Sequence, residues 1–280
     1  LYSAKNSSSL NRITNIEGSP TIGSISIKDL GATASHIKVS PYTANTTTLF
    51  VGTGAGKVFK ITNAQGNSPG ISEVTGASFP SGNVSCIEIG ADENELLVTF
   101  SNYGVNSVWY TDNGGTSWVS KEGDLPDMPV RWALFNPNDR SQVILATEVG
   151  VWSTSNLGNS SPNWVASTSG LANVRTDMLI LRESDYEVIA ATHGRGFFTS
   201  NGFSNIDPSV LGAYFSVDGK TTIYKGGSVS FEDLSTGTPT SWSWTFEGGT
   251  PSTSSLRNPT VTYETAGIYQ VSLTVGDGVG

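Results

Sequence analysis

Short apolar runs of about four to seven residues alternate along the chain with polar turns rich in Gly, Asn, Ser and Thr. No long window carries a 3.6-residue apolar period, so the pattern predicts strands and almost no helix. One segment recurs five times: an apolar run, a tight polar turn, a second apolar or aromatic run, then Thr or Ser near Asn. The copies are 1–4 with 10–15, 49–53 with 57–63, 96–99 with 107–113, 143–147 with 150–156, and 188–192 with 196–201. Ser3, Val51, Val98, Leu145 and Ala190 align, at spacings of 48, 47, 47 and 45. A further strand is predicted before each hairpin, at 36–41, 84–89, 132–137 and 178–181, and another after it, at 118–120 and 164–166. Four strands per repeat of this length make one blade of a β-propeller. After Asn205-Ile206-Asp207-Pro208 the pattern changes. Residues 213–217, 228–233, 242–246 and 269–275 alternate with period 2, as half-buried strands of a sandwich do. The expected fold is all-β: propeller blades over 1–205, a linker at 206–212 and an immunoglobulin-like sandwich over 213–280.

Composition narrows the partners. Charged residues are 14% of the chain and the net charge is −9, with 15 Lys and Arg spread thinly. A nucleic-acid binder needs a basic patch to neutralise phosphates, and none is visible. The same balance argues against anionic membranes, and no apolar stretch is long enough for a transmembrane helix. The single cysteine, Cys86, cannot form an intramolecular disulfide and reads as a buried core residue. The chain starts inside a strand-like run and stops where another strand is expected. Both ends are therefore read as cut, with further blades or self-association through unpaired sheet edges expected.

No catalytic set, metal spacing or cofactor motif can be read. Asp124, Asp127 and Asp177 are the carboxylates considered for glycoside hydrolysis, but nothing in the sequence pairs them. The seven arginines, at 12, 131, 140, 175, 182, 195 and 257, form no contiguous cluster. Gly52-Thr53-Gly54-Ala55-Gly56-Lys57 has the look of a phosphate loop, but it lies in a hairpin and reads as a turn. His193 and Arg195, in Thr192-His193-Gly194-Arg195-Gly196, are a weak ligand-site candidate: His titrates near neutrality and Arg grips carboxylates. The alternative is a hairpin whose glycines set the turn.

Two resemblances carry family expectations. Tyr110 to Trp118, with Asp112, Gly114, Gly115, Ser117 and Trp118, resembles the Asp-box (BNR repeat) of sialidase-like and sortilin-like propellers. That resemblance implies a structural hairpin, with Asp bonding the turn and Trp packing between sheets. Ser155-Asn156 with Trp164 resembles a stretched copy, and Asn201-Gly202-Phe203 a terminal one. Farther on, Ser235-Thr236-Gly237, Trp242 to Phe246, Asn258 to Tyr263 and Ala266 to Tyr269 resemble a polycystic kidney disease (PKD) domain. Its expected core is Trp242, Trp244, Phe246, Tyr263 and Tyr269. Glu247-Gly248-Gly249 replaces the usual Gly-Asp-Gly, as in surface proteins of the Bacteroidota.

These resemblances imply a secreted or outer-surface protein, exported in such bacteria by type IX secretion. The leading expectation is a non-catalytic adhesion or binding protein for a polysaccharide, other glycan or protein ligand. The open alternatives are the C-terminal part of an extracellular glycanase or sialidase-like hydrolase, and a peptide-capturing propeller.

Overall fold

The computed structural model describes residues 1–42, 45–167, 170–171, 173–203, 211–218, 223–235 and 237–278. Among them there is no helix; every regular element is a strand. The chain divides into two compact units, Leu1–Ser204 and Asn205–Gly280. Most of the linker expected at 206–212 lies outside the described residues.

The first unit is a row of five antiparallel meander sheets. The first contains β1 (Tyr2–Asn6), β2 (Ser9–Thr14) and β3 (Thr21–Ser26). The second contains β4 (Ala34–Val39), β5 (Leu49–Thr53), β6 (Val58–Thr62) and β7 (Gly70–Glu73). The third contains β8 (Val84–Ile89), β9 (Leu96–Phe100), β10 (Val108–Thr111) and β11 (Val119–Ser120). The fourth contains β12 (Val130–Phe135), β13 (Val143–Thr147), β14 (Gly150–Thr154) and β15 (Val165–Ala166). The fifth contains β16 (Thr176–Arg182), β17 (Glu187–Thr192) and β18 (Gly196–Ser200). Spatial order equals chain order in every sheet, and β4, β8, β12 and β16 pack beside one another in succession. These are propeller blades; the middle three have four strands, and the first and last have three among the described residues.

The second strands explain the uninterrupted apolar runs. Every residue of β5 and β9 is buried. Alternate side chains serve different neighbours: Leu49 and Val51 pack with the first sheet, while Phe50 packs with the third. Likewise Leu97 faces the fourth sheet, and Leu96 and Val98 face the second. The period is still 2, but both faces are apolar because both are covered.

Two tryptophans stand at equivalent places between sheets. Trp118 precedes β11 and donates from Nε1 to the Val74 carbonyl at 2.9 Å. Trp164 precedes β15 and donates to the Lys121 carbonyl at 3.0 Å. The hairpins before them are tied alike. Thr111 Oγ1 accepts from the Gly115 amide, and Asn113 Oδ1 accepts from the Ser117 amide at 2.9 Å. One blade later, Thr154 donates to Asn156 Oδ1, which also accepts from the Asn163 amide. This corrects the role expected of Asp112. That side chain is exposed, and the turn is held by Thr111 and Asn113, whose side chains point back into the loop. Gly114 and Gly115 have φ of 69° and 86°. A side chain on Gly115 would also meet Val74 within 3 Å.

Among its described residues, the second unit packs two three-stranded sheets. One contains β19 (Phe215–Asp218), β20 (Gly227–Asp233) and β23 (Thr260–Tyr263); the other contains β21 (Ser241–Phe246), β22 (Thr253–Ser254) and β24 (Val271–Gly276). Trp244, Phe246, Phe231, Val261 and Tyr263 form its core, with Trp242 and Tyr269 half-buried against them. Asp233 pins a corner: it accepts from the Ser235 amide and from Arg257 Nε at 3.0 Å. Burial opposes its charge, but the hydrogen bonds from Ser235 and Arg257 outweigh that and hold its carboxyl below the usual range.

Two outcomes follow. Trp164→Ala empties a buried, hydrogen-bonded seat, so it should cost the first unit about 3–5 kcal/mol, read as a lower urea midpoint at unchanged slope. A depressed carboxyl stabilises above its unfolded pKa of about 4 and loses that contribution as pH falls through the folded value. The second unit should therefore weaken on acidification below about pH 4, and Asp233→Asn should flatten that dependence in thermal melts run across pH.

Candidate functional site

Each first strand of blades two to five carries a β-bulge at the same place. Pairing slips between Ala34 and His36, Val84 and Cys86, Val130 and Trp132, and Thr176 and Met178. The extra residues are Ser35, Ser85, Arg131 and Asp177, all polar. A bulge re-aims one side chain out of the alternation. The first two use this to clasp the next blade: Ser35 Oγ donates to the Val84 carbonyl at 2.7 Å, and Ser85 Oγ to the Val130 carbonyl at 2.5 Å. At the next two blades the same position is charged.

Arg131 binds Glu148, in the turn after β13, and its Nε lies 3.9 Å from Asp177. Asp177 in turn accepts from Arg175 Nε at 2.6 Å and sits 3.5 Å from His193 Nδ1. The first strands begin, and the second strands end, at this same end of the blades. The resulting mouth therefore gathers Arg131, Glu148, Arg175, Asp177 and His193. Arg195 lies in the same β17–β18 turn as His193, where Gly194 and Gly196 have φ of 82° and 80°. The His193 side chain is 70% accessible and Arg195 is exposed. Tyr103, 63% exposed, is carried by the β9–β10 loop at this end.

The sequence-level carboxylates separate here. Asp177 joins the mouth. Asp124 instead accepts from the Trp164 amide at 2.6 Å, and Asp127 from the Gly104 amide at 2.7 Å, so both secure loops. Gly52 to Lys57 is the β5–β6 hairpin, with Thr53 Oγ1 accepting from the Ala55 and Lys57 amides. Burial pushes the Cys86 thiol well above its usual range, with the Glu88 charge adding to this. Asp112 lines a different cleft, of about 430 Å³, with Glu95, Tyr110, Lys121 and Arg140. Burial and the Glu95 carboxylate push the Tyr110 phenol up to about 12 there. No group of three or more His, Cys, Asp or Glu among the described residues is arranged to hold a metal ion.

Below the mouth, first strands two blades apart converge: the rings of His36 and Trp132 meet edge to face at 5.2 Å. Burial, and then the charge of Lys38, lower the His36 pKa to about 4, against smaller opposing effects of the Ser85 and Ile87 backbone.

Comparison with known proteins identifies the second unit. Residues 212–280 match the PKD domain and form one. No curated protein matches the chain. Among solved structures, an ancestral GH74 enzyme is similar at 14% identity over 72% of this chain and 30% of its own, with a TM-score of 0.43. A GH74 enzyme of Niastella koreensis is similar at 14% identity over 83% and 34%, with a TM-score of 0.48. This chain thus spans about a third of the length of those structures.

His36 yields a pH signature. Its folded pKa lies below the unfolded value of 6.5, so protonation favours unfolding. The first unit should be most stable above about pH 6.5 and lose roughly 3 kcal/mol as pH falls to about 4. Denaturant titrations at several pH values check this, and His36→Gln should abolish that slope.

Proposed function

We propose that the chain is a secreted or cell-surface binding protein, in which the propeller blades carry the ligand face and the PKD domain acts as a spacer or interaction module. The ligand is a surface glycan or a protein, engaged at the mouth formed by Arg131, Arg175, His193 and Arg195. The observation that carries this reading is the repeated bulge. Four successive blades aim one polar side chain toward the same end, and at two of them that side chain belongs to a charged network bordered by exposed loops. The loops add groups suited to saccharides and polar peptides: the Tyr103 ring and the exposed Arg195 guanidinium. The PKD match and the thinly charged, β-rich composition agree with an extracellular setting. On the same reading the tied hairpins before Trp118 and Trp164 are Asp-box turns, with Asn in the place of the acidic residue.

A second reading, part of an extracellular glycoside hydrolase, draws on one feature: Arg131 touches both Glu148 and Asp177, which places two carboxylates around one arginine. The test is a glycan-array screen of the intact 280-residue protein, followed by titration of any hit. Binding should fall at least tenfold in the His193→Ala/Arg195→Ala double variant, with its unfolding transition unchanged. An array without hits, or a hit indifferent to that variant, would remove the mouth as the site. Release of reducing sugar that disappears in Glu148→Gln would favour the hydrolase instead.

A further inference from the structure

The cleft that Asp112 lines lies between the third and fourth sheets, and every residue lining it is described. It sits where β10 ends and β12 turns into β13, at the end of the blades opposite the mouth. One wall carries Tyr110, Asp112, Val119 and Lys121; the other carries Arg140 from the β12–β13 turn. Its volume, about 430 Å³, falls within the range of small-ligand pockets, roughly 300–1,000 Å³.

Its polar groups are held in place but not used up. Lys121 is 6% exposed, the one lysine or arginine that is buried among the described residues. Its Nζ lies 5.7 Å from the centre of the Tyr110 ring and donates to the Asn159 carbonyl at 2.8 Å, the only hydrogen bond it makes among those residues. An ammonium has three N–H donors, so two remain for whatever enters the cleft. Burial lowers the Lys121 pKa, and the charge of Asp112 opposes this. The Asp112 carboxylate accepts no hydrogen bond among the described residues, and Arg140 donates none. The Arg140 guanidinium lies over the Phe135 ring, with Nε 3.9 Å from Glu95. Glu95 is already anchored: it accepts from the Ala91 amide at 2.6 Å and from the Tyr110 hydroxyl at 3.2 Å.

The preceding blade shows the contrast. Lys60, opposite Phe50, holds the place of Tyr110, opposite Leu97, and its ammonium meets Glu93 at 2.8 Å. There the charges satisfy each other directly. At the third blade the lysine has become an aromatic ring, and the charged groups stand around the cleft instead. Two cations and two carboxylates line it, so its walls carry no net charge. An ionic ligand of either sign would upset that balance. A neutral ligand whose groups both donate and accept would not.

We infer that this cleft is a binding site for a neutral sugar. Each sugar hydroxyl both donates and accepts, so neighbouring hydroxyls pair with the Asp112 carboxylate and with the N–H groups of Lys121 and Arg140. The C–H face of the ring rests on Val119, an exposed apolar side chain at the rim. The inference stands on the cleft alone and does not depend on what the mouth binds.

The experiment titrates the intact 280-residue protein with the methyl glycosides of glucose, galactose and mannose, followed by the NMR signals of the Val119 and Leu157 methyl groups. At least one sugar should shift both signals saturably, with a millimolar Kd. The uronate and the 2-amino derivative of the best binder, one charge of each sign, should bind at least tenfold more weakly. Asp112→Asn/Arg140→Gln removes two charged groups that make no hydrogen bond in the fold, so it should weaken binding at least tenfold at an unchanged unfolding midpoint. Lys121→Met should abolish binding. His193→Ala/Arg195→Ala, at the mouth, should leave these shifts as they are. Absence of saturable shifts up to molar sugar, tighter binding of either charged derivative, or indifference to the Asp112/Arg140 double variant would each overturn the inference. Loss of binding in the mouth variant alone would also overturn it, while supporting the mouth as a sugar site.

Discussion

The first unit depends on one constraint: a blade sheet is apolar on both faces, so no blade can be stable alone. Phe50 and Val51 are consecutive residues of one strand, yet they belong to the cores of two different interfaces. Each leucine or valine of a second strand removes apolar surface from water only because a neighbouring sheet covers it, at roughly 25 cal/mol per Å². The sheets are too thin and too short to bury enough surface within themselves. Stability is therefore a property of adjacent pairs, close to a sum of neighbour terms along a row.

The bulges and the tryptophans secure that row from opposite sides. At the inner strands, Ser35 and Ser85 reach a carbonyl of the next blade; toward the outer strands, Trp118 and Trp164 reach a carbonyl of the preceding one. Each of these bonds satisfies a backbone acceptor that a stacked sheet would otherwise leave to water or orphan. Where the bulge position becomes Arg131 and Asp177, the same geometry no longer staples one backbone to the next. It assembles ion pairs, and the charged network at the mouth is thus a variation on a structural fixture.

Strands and repeat length were legible in the sequence because period-2 alternation and Gly/Asn turns survive in every blade. The PKD core was legible for the same reason, since Trp242, Trp244 and Phe246 share one face of a strand. The bulges were not, because first strands such as Ala34–Val39 already mix polar and apolar side chains, so one inserted polar residue does not stand out from the alternation. The faint signal was a polar residue inside the first strand at a constant step: Ser85, Arg131 and Asp177 are 46 apart. Asp112 was misread because side-chain direction in a turn depends on backbone angles that composition does not report, and Asn113 occupies the inward position. His193 was visible as a titratable group in a glycine turn, whereas its neighbours Arg131, Arg175 and Glu148 come together only through strand pairing.

The links between sheets also share a length. Ser35 to Val84, Ser85 to Val130, Trp118 to Val74 and Trp164 to Lys121 span 49, 45, 44 and 43 residues. No link among them waits for a distant part of the polypeptide. A chain threaded out of a narrow exit can therefore consolidate by accretion, each newly emerged segment docking on the one before it, with little hydrophobic surface left uncovered during passage.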